Sequence, residues 1–368
     1  MKKWMRLVIL FAAAFAGMYG NRAEASVNMD GSVTINEGNF PDERFREAIR
    51  CCDKDGNGVL SKEERNVVTT VHLKLDGSKE MWSGGDGKSV YSSAYHDQLE
   101  IRSYDAPFSI EGIGYFEQLA NVFIKGYANV TGSAKENKKL MYVGLYGCGE
   151  QRDTAAIQAM FPLQQLRRLS LYDMSFQVFQ LPGAVNLHSL ELAGVYGAEV
   201  RVQQMDLSSL KKLRTIALHD VSLDKLDLRK NKELVEVGIT SGLDCLDYDT
   251  HFFYPEGSKT CGIDYFGGLR KNCRLLLPSR NKIKRIQYFV KGDELDITQC
   301  RKLKSLHIGE GVKVKMLRKW YKEAGRRNVC VTVSGDVGKK YKVPRAGKYM
   351  KITGKKNWKE RRVIENQS

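Results

Sequence analysis

An α/β repeat fold, a curved solenoid of leucine-rich repeats with a cap at each end, is what this sequence predicts, on three observations. The first is a set of evenly timed leucines. Leu119, Leu140, Leu166, Leu187, Leu213 and Leu234 are separated by 21, 26, 21, 26 and 21 residues. Each opens an apolar-x-x-apolar-x-apolar run, from "LANVFI" to "LVEVGI", and "IKRIQY" from Ile283 and "LKSLHI" from Leu303 resume it. A period of about 20 to 29 residues marks a solenoid, because each unit is too small to bury its own apolar face. The second is a pair of short helical patterns flanking an acidic loop ahead of the repeats. The third is a helical period followed by a strand-like run behind them.

The elements follow in order. Residues 1–25 read as a secretory signal: Lys2, Lys3 and Arg6 precede the apolar run "LVILFAAAFAGMYG", and Ala23-Glu24-Ala25 is an A-x-A cleavage site. Residues 35–72 form a small helical EF-hand-like cap. Pro41 suits a first helical turn, with Asp42 and Glu43 beside the positive end of the helix dipole. Phe45, Ile49 and Cys52 then fall on one side at i, i+4 and i+7. A second helix, about Lys62 to Thr70, presents Val67, Val68 and Val71, and "VHLKL" alternates like a first strand. Residues 73–112, rich in Gly, Ser and Asp, read as a linker or insertion on the surface.

Repeats are expected over 113–310, with anchor leucines inward and the residues between them on the concave face. Helix-compatible stretches such as "DTAAIQAMFPLQQL" would form the convex side, and "LDKLDLRKNKEL" and "LDITQCRKL" would be connecting turns. The pattern lapses between about 247 and 282, where an insertion is expected. Leu317, Trp320, Tyr321 and Ala324, followed by "NVCVTVS", predict a helix-strand C-terminal cap over 311–334, and 335–368 read as a flexible basic tail.

The net charge of +16 is unevenly held. Residues 311–368 carry 18 Lys/Arg against 4 Asp/Glu, so the remaining 310 residues are close to neutral. That asymmetry belongs to a tail that seeks polyanions and not to a nucleic-acid-binding fold. In an exported chain the polyanion is anionic cell-wall polymer, and no second apolar segment is long enough to span a bilayer after signal cleavage. The eight cysteines do not form a small-domain disulfide framework. Cys148 and Cys300 follow the last apolar strand position and read as packing residues, whereas Cys261 and Cys273 are the best candidate pair.

The strongest chemical signal is "DKDGNGVLSKEE", Asp53 to Glu64. Calcium takes six to eight hard oxygen ligands, and a twelve-residue loop offers them at positions 1, 3, 5, 7, 9 and 12. Asp53, Asp55 and Asn57 fill the first three, and Val59 supplies a carbonyl. Ser61 acts directly or through water, Glu64 chelates with both oxygens, and Gly58 allows the turn. The bland alternative makes Ser61-x-x-Glu64 a helix capping box and the acids solvated turn residues. A single loop suggests a structural Ca2+ site filled outside the cell.

Taken with "INEGNFPDERFR" (Ile35 to Arg46) and "GIGYFEQL" (Gly112 to Leu119), this loop and the repeats resemble secreted leucine-rich-repeat proteins of Gram-positive bacteria, broadly internalin-like. The resemblance covers roughly 35–310 and implies a curved repeat body at the cell surface or outside the cell.

Catalytic motifs are absent: the six histidines form no H-E-x-x-H, and there is no G-x-S-x-G or P-loop. The expected function is a secreted or cell-wall-associated binding or adhesion protein. Its protein or glycan partner would meet Phe123, Tyr142, Tyr146, Arg168, Tyr172 and His219 on adjacent concave strands, since aromatics and arginine anchor interfaces. The alternatives are ordinary cross-strand packing of those side chains and an exported enzyme using a site between repeats.

Overall fold

A computed structural model describes residues 27–75, 91–95, 97–103, 107–147, 151–194, 200–223, 225–240, 274–279 and 281–288, with short pieces beyond, the last at 361–362. The expected signal segment, the helix at 317–324, Cys148, Cys261, Cys273 and most of the insertion lie outside the described residues.

Among the described residues the repeats and the strands flanking them build one long sheet of 14 strands. From Thr70–Lys74 it runs through Asn121–Lys125, Tyr142–Tyr146, Arg168–Tyr172, Ser189–Ala193, Thr215–His219, Glu236–Thr240, Arg285–Tyr288, Ser305–Ile308 and Cys330–Val333, all parallel. The register is constant: Val122, Val143, Leu169, Leu190, Ile216, Val237 and Ile286 line up across the strands. Every anchor from Leu119 to Leu303 is buried, as the period requires. Truncating any one to alanine would remove about 2–5 kcal/mol, because coils stacked on both sides leave the cavity no room to collapse.

Behind the sheet the structure departs from expectation. Among the described residues only Thr154–Met160 is α-helical there, capped by the Asp153 carboxylate on the Ala155 N–H. The other coils close with a second parallel layer, Gln151–Arg152, Ser175–Gln180, Val200–Asp206 and Val221–Ser222. Segments read as connecting turns contribute further strands, Lys225–Asp227 and Glu294–Asp296. Arg274–Leu276, inside the expected insertion, pairs with Lys225–Asp227. The β-rich side chains explain this. Val200 and Val202 are buried two apart, the strand period, and the aromatic Phe176 and Phe179, which favour strands, are buried with their rings edge-on at 5.1 Å.

Two end assignments are corrected. Within 73–112, Gln98–Arg102 lies parallel to Thr70–Lys74 and Tyr91–Tyr95 antiparallel to it, so the supposed linker extends the sheet. The alternation of Leu99 and Ile101, both buried, carries this pairing despite the Gly- and Ser-rich sequence before it. At the other end, Lys351–Thr353 pairs with Cys330–Val333 and Arg361–Arg362 with Lys351–Thr353, where a flexible tail and a cap ending at 334 were expected. A solenoid's last strand presents a row of unpaired backbone groups, and chain that follows it satisfies them.

Polar groups hold successive coils together. Asn137 Nδ2 donates to the carbonyls of Ile113 and Phe116, both at 3.0 Å. Asn231 Nδ2 repeats the arrangement on Leu207 (2.8 Å) and Leu210 (2.9 Å). Each asparagine stands three residues ahead of an anchor leucine, and Cys300, also buried, holds the same place before Leu303. Where the coil turns after a strand, Asp173 and Asp220 adopt φ of 49° and 52°, a left-handed conformation that a short polar side chain tolerates.

The cap consists of α1 (Glu43–Ile49), a 3₁₀ turn over Arg50–Cys52 and α2 (Lys62–Val67). α1 buries Phe45 and Ile49, and Cys52 follows them into the core. Helix α1 starts later than Pro41 suggests: Asp42 is its N-cap, and its other oxygen accepts the Ser109 N–H at 2.8 Å. Helix α2 is shorter than expected, leaving Val67 exposed while Val68 and Val71 are buried. Arg65 is buried, and it donates to the carbonyls of Tyr115 (2.6 Å) and Gly31, clamping the cap to the first repeat. Tyr115 also reaches back, its hydroxyl bonding Asn39 Oδ1 at 3.0 Å.

Replacing Asn231 with alanine removes two buried hydrogen bonds between coils, although the Leu207 and Leu210 carbonyls keep the N–H groups of Leu210 and Leu213. The expected cost is about 2 kcal/mol or more, read as a shifted denaturant midpoint, with an unchanged midpoint contradicting the coil-to-coil role.

Candidate functional site: the acidic loop and the solvent face of the sheet

The acidic loop has the backbone its sequence calls for. Gly56 and Gly58 lie at φ 70° and 79°, a region that costs most other residues strain. Asp53 turns inward, its Oδ2 accepting the Gly58 N–H at 2.8 Å, and Asn57 Oδ1 takes the Val59 N–H at 2.7 Å. Val59–Leu60 pairs antiparallel with Val33–Thr34, so a short strand stands where paired loops would place a second loop. The carboxylates of Asp53, Asp55 and Glu64 bring ligand oxygens within 4.8 Å of one another.

The capping box is formed too. Glu64 Oε2 accepts the Ser61 N–H and hydroxyl, both at 2.8 Å, and Oε1 accepts the Lys54 N–H at 2.7 Å. A carboxylate has about four lone-pair directions, so capping leaves room for a cation. Desolvation works to raise the Glu64 carboxyl and Asp53 adds to it. The N–H groups of Lys54 and Ser61 and the Ser61 hydroxyl outweigh both and hold it below the ordinary range. The donor set, all hard oxygens with three carboxylates converging, fits calcium.

On the solvent face, the constant register brings residues from separate repeats into one patch, drawn from the first, third and fifth positions of the strands. His72 stacks on Phe123 with ring centroids 4.8 Å apart, and Tyr142 meets Phe123 edge-on, also at 4.8 Å. The Arg168 guanidinium lies 4.7 Å from the Tyr142 ring centre. Glu191 comes next: Ser170 Oγ donates to it at 3.0 Å, and Arg168 Nη2 and His219 Nε2 each stand 3.9 Å from its oxygens. Tyr142, Arg168 and His219 therefore share one patch. Tyr146 is partly exposed at the same register position as Tyr172 and His219. Phe123 and Tyr172, expected to face solvent, are buried. Cross-strand neighbours cover them, since rings in adjacent parallel strands stand about 4.8 Å apart and shield one another.

Three members of this patch were missed by the sequence reading: His72, Ser170 and Glu191. The only signal was positional, because each is the middle spacer residue of its strand, in line with Phe123. Ser170 and His219 also test the enzyme reading. A nucleophile needs its hydroxyl on the base, but Glu191 lies between them and takes the Ser170 proton donor itself. Ser170 is buried as well.

The parallel register, the buried leucine period and the asparagine bonds between coils define a leucine-rich-repeat solenoid, with a patch of aromatic and charged side chains across its sheet. No protein-family model matches the chain, and no curated protein does. Among solved structures, internalin C2 from Listeria monocytogenes is similar at 18% identity, covering 58% of this chain and 90% of that one with a TM-score of 0.33. The functional domain of InlJ from Listeria monocytogenes, which includes a cysteine ladder, is similar at 13% identity, covering 89% and 73% with a TM-score of 0.36. At such values the fold rests on the molecule's own register.

The tyrosines supply a pH test. Burial pushes the Tyr172 phenol well above its ordinary value, and the Glu191 charge adds to it. Burial likewise pushes Tyr127 up to about 12, against a small opposing effect of Arg152. A phenol raised on folding stabilises the native state below its unfolded pKa of about 10 and loses that contribution above it. Stability should therefore fall between about pH 10 and 12, and Tyr172→Phe should make that fall shallower. An identical alkaline profile for the variant would show that Tyr172 is not held neutral by the fold.

Proposed function

We propose that this protein is a secreted or surface-associated binding or adhesion protein that presents the solvent face of its long sheet to a protein or glycan partner. The observation that carries this reading is the continuous patch of contacting side chains from His72 to His219. It joins aromatic faces, a guanidinium and a carboxylate across six strands, and rigid anchors of this kind concentrate binding energy. The patch is supported from beneath by buried leucines, so it is pre-ordered, and a partner need not pay to arrange it. The basic residues near the C-terminus would add attachment to anionic cell-wall polymer.

Calcium belongs to this proposal as a structural ion. Asp53, Asp55, Asn57, Ser61 and Glu64 would hold it with the Val59 carbonyl. Bound there, it would supply charge neutralisation that lets three carboxylates converge. Glu64 opens α2, and Arg65 beside it grips Tyr115 and Gly31. Fixing Glu64 therefore fixes the clamp between cap and repeats.

Two measurements test these readings separately. Replacing Tyr142 and Arg168 with alanine together should weaken binding to intact target cells at least tenfold while leaving the fold unchanged by circular dichroism. Undiminished binding would remove the patch from the partner site. For the ion, millimolar calcium should raise Tm by mass action, and Asp53→Ala or Glu64→Gln should abolish the rise. Glutamine can keep the Ser61 contacts through its one oxygen but turns an NH2 toward the Lys54 N–H, so its Tm in chelator should fall below the wild type and the test is the calcium-dependent rise alone. If the wild type melts alike in calcium and chelator, the site is not a calcium site.

A further inference from the structure

The near-neutral charge of the repeat body hides a segregation that its register exposes. Each strand is entered through a short rim segment around the anchor leucine. Backbone bonds stack these segments: the Arg167 N–H donates to Met141, His188 to Arg167, Arg214 to His188, Val235 to Arg214 and Lys284 to Val235, at 2.7–2.8 Å. The two residues on either side of the six anchors from Leu140 to Ile283 include 11 Lys/Arg and only 2 Asp/Glu. Both acids are already engaged, Glu233 with Lys282 at 2.6 Å and Glu236 with Arg285 at 3.3 Å. Arg167, Lys211, Lys212, Arg214, Lys232 and Lys284 are all exposed, and among the described residues none has a carboxylate within ion-pair distance.

This arrangement has a direction. Arg167, Arg214 and Lys284 occupy one register position on every second strand. With neighbouring strands about 4.8 Å apart, their Cα atoms recur about every 10 Å along the stacking axis. A compact anion such as a single phosphate draws cations to a point, but these stand along a line. Like charges so aligned repel one another and raise the local potential, which an extended anion relieves along its whole length.

We infer that the strand-entry rim of the repeats is a binding surface for a linear anionic glycan laid along the stacking axis, with Arg167, Arg214 and Lys284 as its central contacts. The site is separate from the patch around Glu191, so either can fail without the other. It is also distinct in sequence from the basic C-terminal segment, residues 311–368.

The test uses the full chain and a sulfated heparin oligosaccharide as the probe, measured by titration at low and at about 0.3 M salt, where screening is strong. One variant carries Arg167→Ser, Arg214→Ser and Lys284→Ser. A second removes three charges from the C-terminal segment, by Lys339→Ser, Lys340→Ser and Lys342→Ser. All six side chains can be lost without opening a buried position in the described repeats, and equal melting curves for the three proteins would verify this. The rim variant should bind about tenfold more weakly, with a flatter salt dependence, since each exposed contact contributes modestly. The C-terminal variant should lose clearly less. Equal losses from the two would reduce the effect to net charge and overturn the assignment, as would wild-type binding by the rim variant. Equally tight binding of polyglutamate or duplex DNA would also overturn the choice of a glycan.

Discussion

Everything in this molecule depends on the parallel backbone pairing between one coil and the next. A single coil of some twenty residues has an apolar side that it cannot cover and two rows of backbone groups that it cannot satisfy alone. Stacking solves both problems at once: the buried leucines meet their counterparts while Asn137 and Asn231 close the carbonyls in the turns. The same pairing fixes the register, and a one-residue slip would turn each leucine to solvent. Uniform register is therefore a condition of stability before it serves any function.

Function follows from that uniformity. Side chains far apart in sequence become neighbours about 4.8 Å apart because the ladder puts matching positions side by side. His72 and His219 lie at the two ends of one patch, with Glu191 in the His72 row joining Arg168, Ser170 and His219 near its far end. The rim cations make a second row by the same route. Two surfaces of different chemistry thus share one scaffold, one mixed in polarity and partly buried, the other exposed and basic.

The ends require different solutions. At the N-terminal end a helical cap meets the first repeat through Arg65, a buried cation whose desolvation is offset by carbonyl acceptors. The acidic loop sits directly before that arginine, so its order bears on the junction. At both ends of the long sheet an antiparallel strand follows the parallel series, Tyr91–Tyr95 on one side and Arg361–Arg362 on the other. Antiparallel pairing needs only a short connection, whereas another parallel strand needs a full coil.

The sequence by itself determined the solenoid, its phase and the acidic loop. Those depend on local spacing: a leucine every 21 or 26 residues and oxygen-bearing side chains at fixed positions in twelve. It misjudged the layer behind the sheet, where "DTAAIQAMFPLQQL" gave one helix and the other coils gave strands, because propensity is weak beside the packing of the preceding coil. It also placed Tyr172 and Phe123 in solvent. Only the tertiary structure decided that they are covered, that Glu191 joins Arg168 to His219, and that Arg167, Arg214 and Lys284 stand in line. Those relations belong to positions 20 to 70 residues apart, and the energy that brings them together lies in the coils between them and not in the residues themselves.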